Sequence, residues 1–432
     1  MNDIQCEVLV VGAGPAGSAA AHRAAVAGRD VLLLDMQDFP RDKTCGDGLT
    51  PRAVHALEAL GAGDLVAPAA GRPEIRGLKL HGFGGSVTAP WPDHPEFPAR
   101  GTAVARTDLD NALVDLAVAS GARRLTAKAV DVETDLVAGA RRVRAVRLAD
   151  GSAVHCRYLV LAEGVRSGLA RTLGLQWLRG LVHGVAARSY CPSPHSDEPW
   201  IHSHLELRDA DGVAQPGYGW IFPLGADGEH GPAVNLGCGA LSTSRRPAKV
   251  NVRRLLASYA AQCEEEWGLG APTHVASALL PMGGAVTRVS GVNWAAVGDT
   301  AALVNPLNGE GIDYSLESGV DLVDMLAAAD GTSDGLRYIW PEHLRARYGD
   351  AFSLARRAAT LLTMPGLLSA VGPLGMRGPV ADGLMGSAAR LMGNLVTPED
   401  RDLTARLWLG AGRLSSAHDR FWHAESRPLF GA

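Results

Sequence analysis

Residues 7–35 read EVLVVGAGPAGSAAAHRAAVAGRDVLLLD. The stretch begins with an apolar run at 7–11, passes through a GxGxxG glycine pattern at 12–17, and ends after a second apolar run at Asp35. The Ala-rich residues between the two runs favour a helix. Strand, glycine turn, helix, strand and acid within about 30 residues are typical of a dinucleotide-binding βαβ unit. The stretch therefore predicts an α/β protein with a dinucleotide site near its N-terminus.

Each part of this unit has a physical task. Gly12 permits a tight turn, Gly14 lets the backbone approach a pyrophosphate, and Gly17 allows the helix to pack on the strand. The helix N-terminus offers free N–H groups to the phosphates, and Asp35 is placed to accept from ribose hydroxyls. The cofactor-binding residues predicted in this unit are Gly12, Gly14, Pro15, Ala16, Gly17, Asp35 and Met36.

Composition excludes several classes of protein. The 432 residues are 47% hydrophobic and 20% charged, which is ordinary for a globular chain. A net charge of −5 argues against nucleic acid as a partner. We find no apolar run of membrane-spanning length and no signal peptide, and the six cysteines form no recognisable disulfide pattern. We therefore expect a cytoplasmic protein with reduced thiols, and we leave peripheral contact with a membrane open.

Later segments carry further elements of an α/β fold. Residues 125–133, 142–149 and 153–160 look like three strands, with an Asp150-Gly151 turn between the last two. Residues 159–164 and 294–297 look like buried strands ending at glycines. Asp299, at a strand's carboxyl end, is placed for a ribityl or ribose hydroxyl. The remaining cofactor-binding residues predicted here are Arg106, Val130, Gly164, Asp299, Gly309, Gly311 and Ile312.

Four of these features together resemble the flavin-dependent hydroxylase superfamily. They are the GxGxxG turn, Arg106, the AEGVRS segment at 162–167, and Gly298-Asp299 with its glycine-rich loop. The resemblance spans about residues 5 to 330 and implies FAD bound in an extended form. The family usually has Asp-Gly at the middle motif, where this chain has Glu163-Gly164.

Two more stretches resemble the geranylgeranyl reductase family within that superfamily. Residues 39–48 read FPRDKTCGDG and residues 216–223 read PGYGWIFP. The resemblance implies that the first lies near the flavin and that the second lines a substrate tunnel. It adds Cys45, Gly46, Asp47, Gly48 and Leu49 as cofactor-binding residues, and Tyr218, Trp220, Phe222 and Pro223 as substrate-binding residues.

The aromatic strand has a physical interpretation of its own. Side chains alternate along a strand, so Tyr218, Trp220 and Phe222 share one face. Three rings on one face build either a sheet core or a flat apolar wall for an isoprenoid chain. Cys45 is either a pocket-shaping thiol or a group that assists protonation, with Lys43 near enough in sequence to lower its pKa. Cys45, Tyr218 and Trp220 are the predicted catalytic residues.

Two other features of the sequence give weaker indications of function. His202 and His204 share a strand face, but the sequence shows no third and fourth ligand, so we predict no metal. Residues 340–432 have helical patterns, with an apolar segment broken by Pro365, Pro373 and Pro379. This region forms a lid over a lipid-like substrate, a surface that docks on a membrane, or ordinary helical packing.

The sequence thus predicts an FAD-binding Rossmann-like α/β domain, an interleaved antiparallel β-sheet substrate domain and a helical C-terminal region. Predicted boundaries are 1–75, 105–180 and 276–338 for the FAD-binding domain, 76–104 and 181–275 for the substrate domain, and 339–432 for the helical region. Oligomeric state is left unpredicted.

The expected activity is reduction of a C=C bond in an isoprenoid or other apolar olefin by hydride from reduced FAD, with NADPH or NADH as electron donor. Three alternatives remain. A monooxygenase or oxidase uses the same fold. A flavin halogenase carries Trp-x-Trp-x-Ile-Pro, where this chain has Tyr218 and Phe222 in place of the first Trp and the Ile. A prenyl-binding protein without flavin chemistry is the third.

Overall fold

The structure, a computed structural model, describes residues 3–67, 71–137, 139–226, 228, 230–330, 334–377, 381–422 and 429–431. In chain order its strands are β1 Ile4–Val11, β2 Val31–Asp35, β3 Gly48–Leu49, β4 Gly77–Gly82, β5 Gly85–Pro90, β6 Thr102–Ala103, β7 Arg123–Thr126, β8 Ala129–Val137, β9 Ala140–Leu148, β10 Ala153–Leu161, β11 His183–Pro192, β12 Ile201–His204, β13 Gly217–Pro223, β14 Ala233–Ser242, β15 Thr273–Pro281 and β16 Trp294–Ala296. Its α-helices are α1 Pro15–Val26, α2 Pro51–Ala59, α3 Arg106–Ala119, α4 Gly168–Thr172, α5 Val252–Trp267, α6 Ile312–Asp330, α7 Leu336–Leu362, α8 Pro365–Met376, α9 Ala381–Met392 and α10 Leu403–Trp422. Short 3₁₀ helices cover Gly63–Val66, Gly164–Arg166 and Gly298–Ala301.

A first sheet forms around β1, which is apolar on both faces. Val8, Leu9 and Val10 are fully buried, as expected for a parallel strand covered by helices on both sides. The strand order is β7-β2-β1-β10-β9-β8, and β16 pairs with the end of β10. β1, β2, β10 and β16 are parallel, so their carboxyl ends meet at one edge. Ligands of open α/β sheets bind at such an edge.

Helices α1 and α6 lie together against this sheet. Their contact is close because Gly319 of α6 leaves no room for a side chain; a Cβ there would lie 2.3 Å from the carbonyl oxygen of Ala16. The same core extends to α7, where Trp340 and Phe352 are fully buried. Helix α7 is therefore continuous with the main hydrophobic core, whereas α8 and α9 contribute Met376, Ala381 and Ala389 to a cluster with β4 and β5.

A second sheet has the strand order β15-β11-β14-β13-β12-β4-β5. Its neighbours are antiparallel except for β12 and β4, which are parallel. One face of β13 packs on α5, where Ile221 joins a cluster with Leu255 and Tyr259. The other face of β13 carries the three rings and is turned towards the loop that contains Cys45.

The predicted fold class is confirmed: a flavoprotein-type α/β fold with a second, largely antiparallel sheet and a helical C-terminal region. Two strand predictions need correction. The predicted strand 125–133 is two strands, because β7 pairs with β2 whereas β8 turns away to pair with β9. Residues 159–161 are the end of β10, which pairs with β9 at its start and with β16 at its end.

The apolar C-terminal segment is helical where the structure describes it. Pro365 begins α8 and Pro373 lies inside it, whereas Pro379 lies outside the described residues. Across the described ranges, no helix combines the length and the apolar content that crossing a bilayer requires. The predicted domain boundaries remain predictions.

Candidate functional site

Two positions around the turn between β1 and α1 require glycine. Gly12 has φ +102°, and a Cβ there would lie 2.1 Å from the carbonyl oxygen of Ala162. A Cβ on Gly17 would lie 1.7 Å from the carbonyl oxygen of Gly12. Gly14 precedes α1 and offers no side chain to cap it, and Pro15 begins the helix. Remaining N–H groups of the first turn are therefore available to an anionic ligand.

Asp35 stands beside this turn, at the end of β2. Its Oδ2 accepts from the N–H of Ala13 at 2.8 Å, and its Oδ1 accepts from the N–H of Gln37 at 3.0 Å. These bonds fix the carboxylate at the carboxyl edge of the sheet. The acid is thus held where the predicted fingerprint requires it for a ribose.

Two arginines approach the open end of α1. Arg106 is the first residue of α3, is 7% exposed, and donates twice to Asp110, at 2.7 and 2.8 Å. Arg41 Nη1 lies 3.3 Å from Asp110 Oδ2. The position of a Cβ on Gly14 would be 3.7 Å from Arg106 Nη2 and 3.9 Å from Arg41 Nη2.

Arg41 also keeps a buried Nε with no hydrogen-bond partner among the described residues. Buried donors are rarely left unpaired, so this group points to a missing acceptor. A glycine turn, a free helix end and two arginines together fit the pyrophosphate of FAD.

The predicted cofactor segment around Asp299 lies next to the same turn. Asp299 sits in the 3₁₀ helix that follows β16, and a Cβ on Gly311 would lie 3.6 Å from its Oδ1. A Cβ on the preceding Gly298 would lie 2.9 Å from Ala16 Cβ. The segments at 12–17, 298–299 and 309–311, which are far apart in sequence, therefore meet at one edge of the first sheet.

Other predicted cofactor residues have less distinctive surroundings. Met36 is 57% exposed and Val130 is 45% exposed. Gly164 has φ +65°, and its carbonyl accepts from Thr300 Oγ1 at 3.2 Å. Leu49 and Ile312 are buried in the cluster beneath α2, and their contacts with the cofactor remain predictions.

The loop from 36 to 48 is attached to the second sheet through Asp47. Asp47 is fully buried with φ +66°, and its Oδ2 accepts from Tyr190 at 2.7 Å and from Asn235 at 2.8 Å. Burial raises the pKa of this carboxyl to about 6, although the two hydrogen bonds oppose the change. A second attachment is made by the buried Arg188, which donates to Asp42 and to the carbonyl of Lys43.

Cys45 is half-buried at the centre of this loop. Its carbonyl accepts from Asn235 at 2.8 Å, and its sulfur accepts from the N–H of Asp47 at 3.4 Å. Burial raises the pKa of the thiol, and the cation that opposes this is Arg106 rather than Lys43. The thiol is therefore protonated at neutral pH, unlike the reactive cysteines of nucleophilic enzymes.

The rings of β13 form a continuous surface above this loop. Centroids of Tyr218 and Trp220 are 6.1 Å apart, as are those of Trp220 and Phe222. The indole covers Gly237, where a Cβ would lie 2.1 Å from its ring, and it donates to Asn235 at 3.0 Å. We call these three residues the ring wall.

Phe222 presses directly on the Cys45 loop. A Cβ on Gly46 would lie 2.8 Å from its ring, and a Cβ on Gly48 would lie 2.9 Å from it. Pro223 ends β13 beside this contact. The two glycines therefore let the loop and the ring wall meet at van der Waals distance.

Glu163 has a local role. Its carboxylate accepts from the N–H groups of Leu169 and Ala170, at 2.9 and 3.0 Å, and so caps α4.

His202 and His204 lie beside His81, with His202 Nδ1 3.0 Å from His81 Nε2. Within the described part of the chain, no group of three or more His, Cys, Asp or Glu side chains is arranged to hold a metal ion.

Sequence reasoning missed several residues of this site. They are Arg41, Asp110, Tyr190, Asn235 and Glu310. Three of them had a local signal: Glu310 lies between the two predicted glycines, Arg41 lies in the 39–48 stretch, and Asp110 lies one helical turn after Arg106. Tyr190 and Asn235 lie on separate strands, and their chain positions give no hint that they meet.

Comparisons with known proteins agree with this geometry. Residues 5–334 match a family model described as "FAD binding domain". The chain is 53% identical over 420 residues to a Mycobacterium tuberculosis protein named "Menaquinone reductase", covering 97% of this chain and 98% of that protein. It is 29% identical over 374 residues to "Digeranylgeranylglycerophospholipid reductase 1" of Methanopyrus kandleri, covering 83% and 91% of the two chains.

A solved structure shows the same fold. It is a geranylgeranyl bacteriochlorophyll reductase-like protein from Thermoplasma acidophilum, with a TM-score of 0.69, 19% identity, and coverage of 97% of this chain and 99% of that one. The resemblance to the geranylgeranyl reductase family within the flavin-dependent hydroxylase superfamily is confirmed. The chain belongs to the FAD binding domain family and is an FAD-dependent oxidoreductase.

Proposed function

We propose that this protein saturates a carbon–carbon double bond in the isoprenoid chain of a prenylated quinone of the menaquinone type. One observation carries the proposal: near-full-length similarity, at 53% identity, to a protein named "Menaquinone reductase". The more distant relative is named for a different lipid that also carries isoprenoid chains. Their shared chemistry is the polyprenyl group, which favours the chain rather than the quinone ring as the reacting part.

The ring wall suits such a substrate. Tyr218, Trp220 and Phe222 present rings to the side of β13 that faces the cofactor loop. An isoprenoid chain is apolar and its double bonds are planar, so rings can hold it in position and exclude water. Trp220 is fixed by Asn235, and the hydroxyl of Tyr218 donates to the carbonyl of Asn308. Reduced FAD, when bound, supplies the hydride.

NADPH or NADH is the proposed electron donor. The βαβ unit at 7–35 is assigned to FAD, and the sequence shows no second GxGxxG in such a unit. A nicotinamide cofactor would therefore bind without a Rossmann domain of its own. Following the bleaching of the flavin by each donor in turn, without oxygen, tests this assignment.

We also propose that the protein meets its lipid substrate on an anionic membrane surface, through the outer face of α10. Leu403, Leu407 and Leu414 lie on one face of this helix and are 73%, 66% and 75% exposed. Arg406 and Arg413 flank them, and residues 403–418 contain no acidic residue, although the whole chain has a charge of −5. Apolar side chains flanked by cations are typical of helices that lie in a membrane interface.

The inner face of α10 is already occupied. Ser415 Oγ lies 2.7 Å from Ser353 Oγ on α7, and Asp419 pairs with Arg356 at 3.0 Å. The helix is therefore held on the protein with its leucines outwards.

Vesicle binding tests this surface. Vesicles of phosphatidylglycerol and phosphatidylcholine should co-sediment with the wild-type protein, and the Leu407→Glu/Leu414→Glu variant should bind at least tenfold more weakly, because each buried leucine is worth about 2 kcal/mol. Leu136→Glu is the control, since Leu136 is 79% exposed on β8 in the first sheet. Equal binding by all three proteins would exclude α10 as the docking face.

The proposed reaction is tested without oxygen. Protein reduced by dithionite is mixed with menaquinone, and the return of the oxidised flavin spectrum is followed. The product is then exposed to air and analysed by mass spectrometry. Saturation of the side chain leaves a product two hydrogen masses heavier, whereas a quinol formed by ring reduction returns to the original mass. Reoxidation only when air is admitted would favour the monooxygenase, oxidase or halogenase alternatives.

A further inference from the structure

Glu310 is a half-buried residue with a buried carboxyl oxygen that the fold does not use. It lies between Gly309 and Gly311, in the loop that leads into α6. Its N–H donates to Asn308 Oδ1 at 2.9 Å, and its carbonyl accepts from the N–H of Asn305 at 2.7 Å. The main chain is thus fixed, yet the side-chain Oε2 is buried with no hydrogen-bond partner among the described residues. Such a group is costly to bury and needs an explanation.

The surroundings of Glu310 place it in the candidate site. A Cβ on the adjacent Gly309 would lie 3.8 Å from the hydroxyl of Tyr218. That hydroxyl donates to the carbonyl of Asn308, which joins the Glu310 loop to the ring wall. The half-buried Cys45 lies within electrostatic range of Glu310 from the opposite loop. Glu310 therefore lies between the predicted cofactor edge and the ring wall.

Charged and titratable groups face Glu310 from four elements. They are Asp313 on α6, Arg106 on α3, Tyr218 on β13 and Cys45 in the loop. Burial raises the pKa of Glu310 well above its usual value, the negative charge of Asp313 adds to this, and Arg106 opposes it only in part. Burial raises the pKa of Asp313 itself to about 6. Both shifts have the same direction, and Glu310 is the member of the pair whose neutral form burial and Asp313 favour.

Saturation of an olefin requires a proton as well as a hydride, and the half-buried Cys45 and Glu310 are candidates for the proton donor. The pKa of the Cys45 thiol is raised further above an already high value by burial, so the thiol gives up a proton reluctantly. A carboxyl group whose pKa is raised by burial gives up its proton more readily than such a thiol and is the more efficient general acid of the two. The structure therefore favours the carboxyl group over the thiol that sequence reasoning selected.

We propose that Glu310 is the general acid of this enzyme and donates its proton to the olefin. The inference rests on the proposed reductase function. The π bond breaks as one carbon accepts a hydride, whose two electrons come from reduced FAD. The O–H bond of Glu310 breaks, and its proton forms the new C–H bond at the second carbon. Glu310, left as a carboxylate, regains a proton from water.

The first test needs neither cofactor turnover nor substrate. A protonated carboxyl group gives an infrared carbonyl band that shifts in D₂O. At neutral pH the wild-type protein should show this band, and Glu310→Gln should lack it. Persistence of the band at full intensity in Glu310→Gln would mean that Glu310 holds no proton and would overturn the proposal.

The second test separates the two halves of the reaction. Glu310→Gln has nearly the same shape as the protonated residue, so flavin reduction by dithionite should be unchanged. Reoxidation by the polyprenyl substrate should be at least a hundredfold slower, which is the usual effect of losing a general acid. Cys45→Ser tests the competing assignment of the acid to the thiol. Glu133→Gln is the matched control and should retain the rate, because Glu133 pairs with Arg144 and Arg147 at the outer edge of the first sheet. Glu310→Asp keeps an acidic proton and should recover part of the rate with a displaced pH profile.

The two proposals fail in different ways. Absence of reoxidation by any olefin in the wild-type protein would refute the reductase function. Normal reoxidation of Glu310→Gln, or loss of rate in Cys45→Ser alone, would leave the reductase intact and refute the role of Glu310.

Discussion

Replacing Trp220 with phenylalanine removes one buried hydrogen bond while leaving a ring in the wall. The indole N–H donates to Asn235 Oδ1 at 3.0 Å, and Asn235 is fully buried, so water does not replace the donor. Losing the bond and stranding a buried acceptor costs about 2 kcal/mol, and the smaller ring opens a void over Gly237 worth about 1 kcal/mol more. We expect Trp220→Phe to lower the free energy of unfolding by about 3 kcal/mol.

The same change should weaken cofactor binding. The amide nitrogen of Asn235 holds both the carbonyl of Cys45 and the carboxylate of Asp47, so a reoriented Asn235 releases the loop beside the site. If the released loop weakens the binding free energy of FAD by about 1 kcal/mol, the dissociation constant of FAD rises about fivefold. Urea unfolding of the apoprotein measures the first effect, and titration with FAD, followed by flavin fluorescence, measures the second.

Trp91→Phe is the control. Trp91 is 5% exposed and donates to the carbonyl of Ile75 at 3.1 Å, so its substitution removes a comparable bond with no link to Asn235. It should lower the free energy of unfolding similarly and leave FAD affinity unchanged. If Trp220→Phe binds FAD as tightly as the wild-type protein, the argument that Trp220 supports the loop through Asn235 is wrong.

Three further predictions concern stability and packing. Burial lowers the pKa of His204 from 6.5 to about 4, so this side chain takes up a proton in the unfolded chain before it does so in the folded one. The free energy of unfolding should therefore fall by about 3 kcal/mol as pH falls from 6.5 to 4. In urea unfolding across this range, the free energy of unfolding of His204→Asn should depend less on pH. Gly46→Ala places a methyl group 2.8 Å from the Phe222 ring and should weaken FAD binding in titrations, and the added substitution Phe222→Ala should restore it; no restoration would contradict the contact. In the wild-type protein the buried Arg52 donates to both carboxylate oxygens of Glu317, at 2.6 and 2.8 Å. Glu317→Gln leaves this buried cation without its ion pair and should lower the free energy of unfolding by about 3–5 kcal/mol. A loss below about 1 kcal/mol in denaturant titrations would refute this.

The sequence predicts the cofactor edge well because its requirements are local. Gly12 is required by its φ of +102° and Gly17 by its contact with the Gly12 carbonyl within the same βα turn, and Asp35 follows at the end of the next strand. Spacing alone therefore identifies them. The strand at 125–133 was wrong because its two halves choose different partners, and partner choice is a long-range property.

The residues that hold the Cys45 loop in place have no comparable signal in the sequence. Asp47 meets Asn235 across 188 positions of the chain, and Tyr190 reaches the same carboxylate across 143. Such meetings depend on how the second sheet lies over the loop, which neither periodicity nor composition encodes. Glu310 was visible between two glycines, but its acidity depends on burial, which only the folded chain provides.

The attachment of the 36–48 loop to both sheets has a thermodynamic consequence. The loop leaves the first sheet at Asp35, and the second sheet binds it through hydrogen bonds from Arg188 on β11 and Asn235 on β14. A ligand that orders the loop therefore also disfavours the opening of those two strands. Amide hydrogens of β11 and β14 should consequently exchange more slowly with deuterium when FAD binds, even though the cofactor contacts are predicted at the first sheet. The first sheet, the loop and the second sheet should then behave as one cooperative unit.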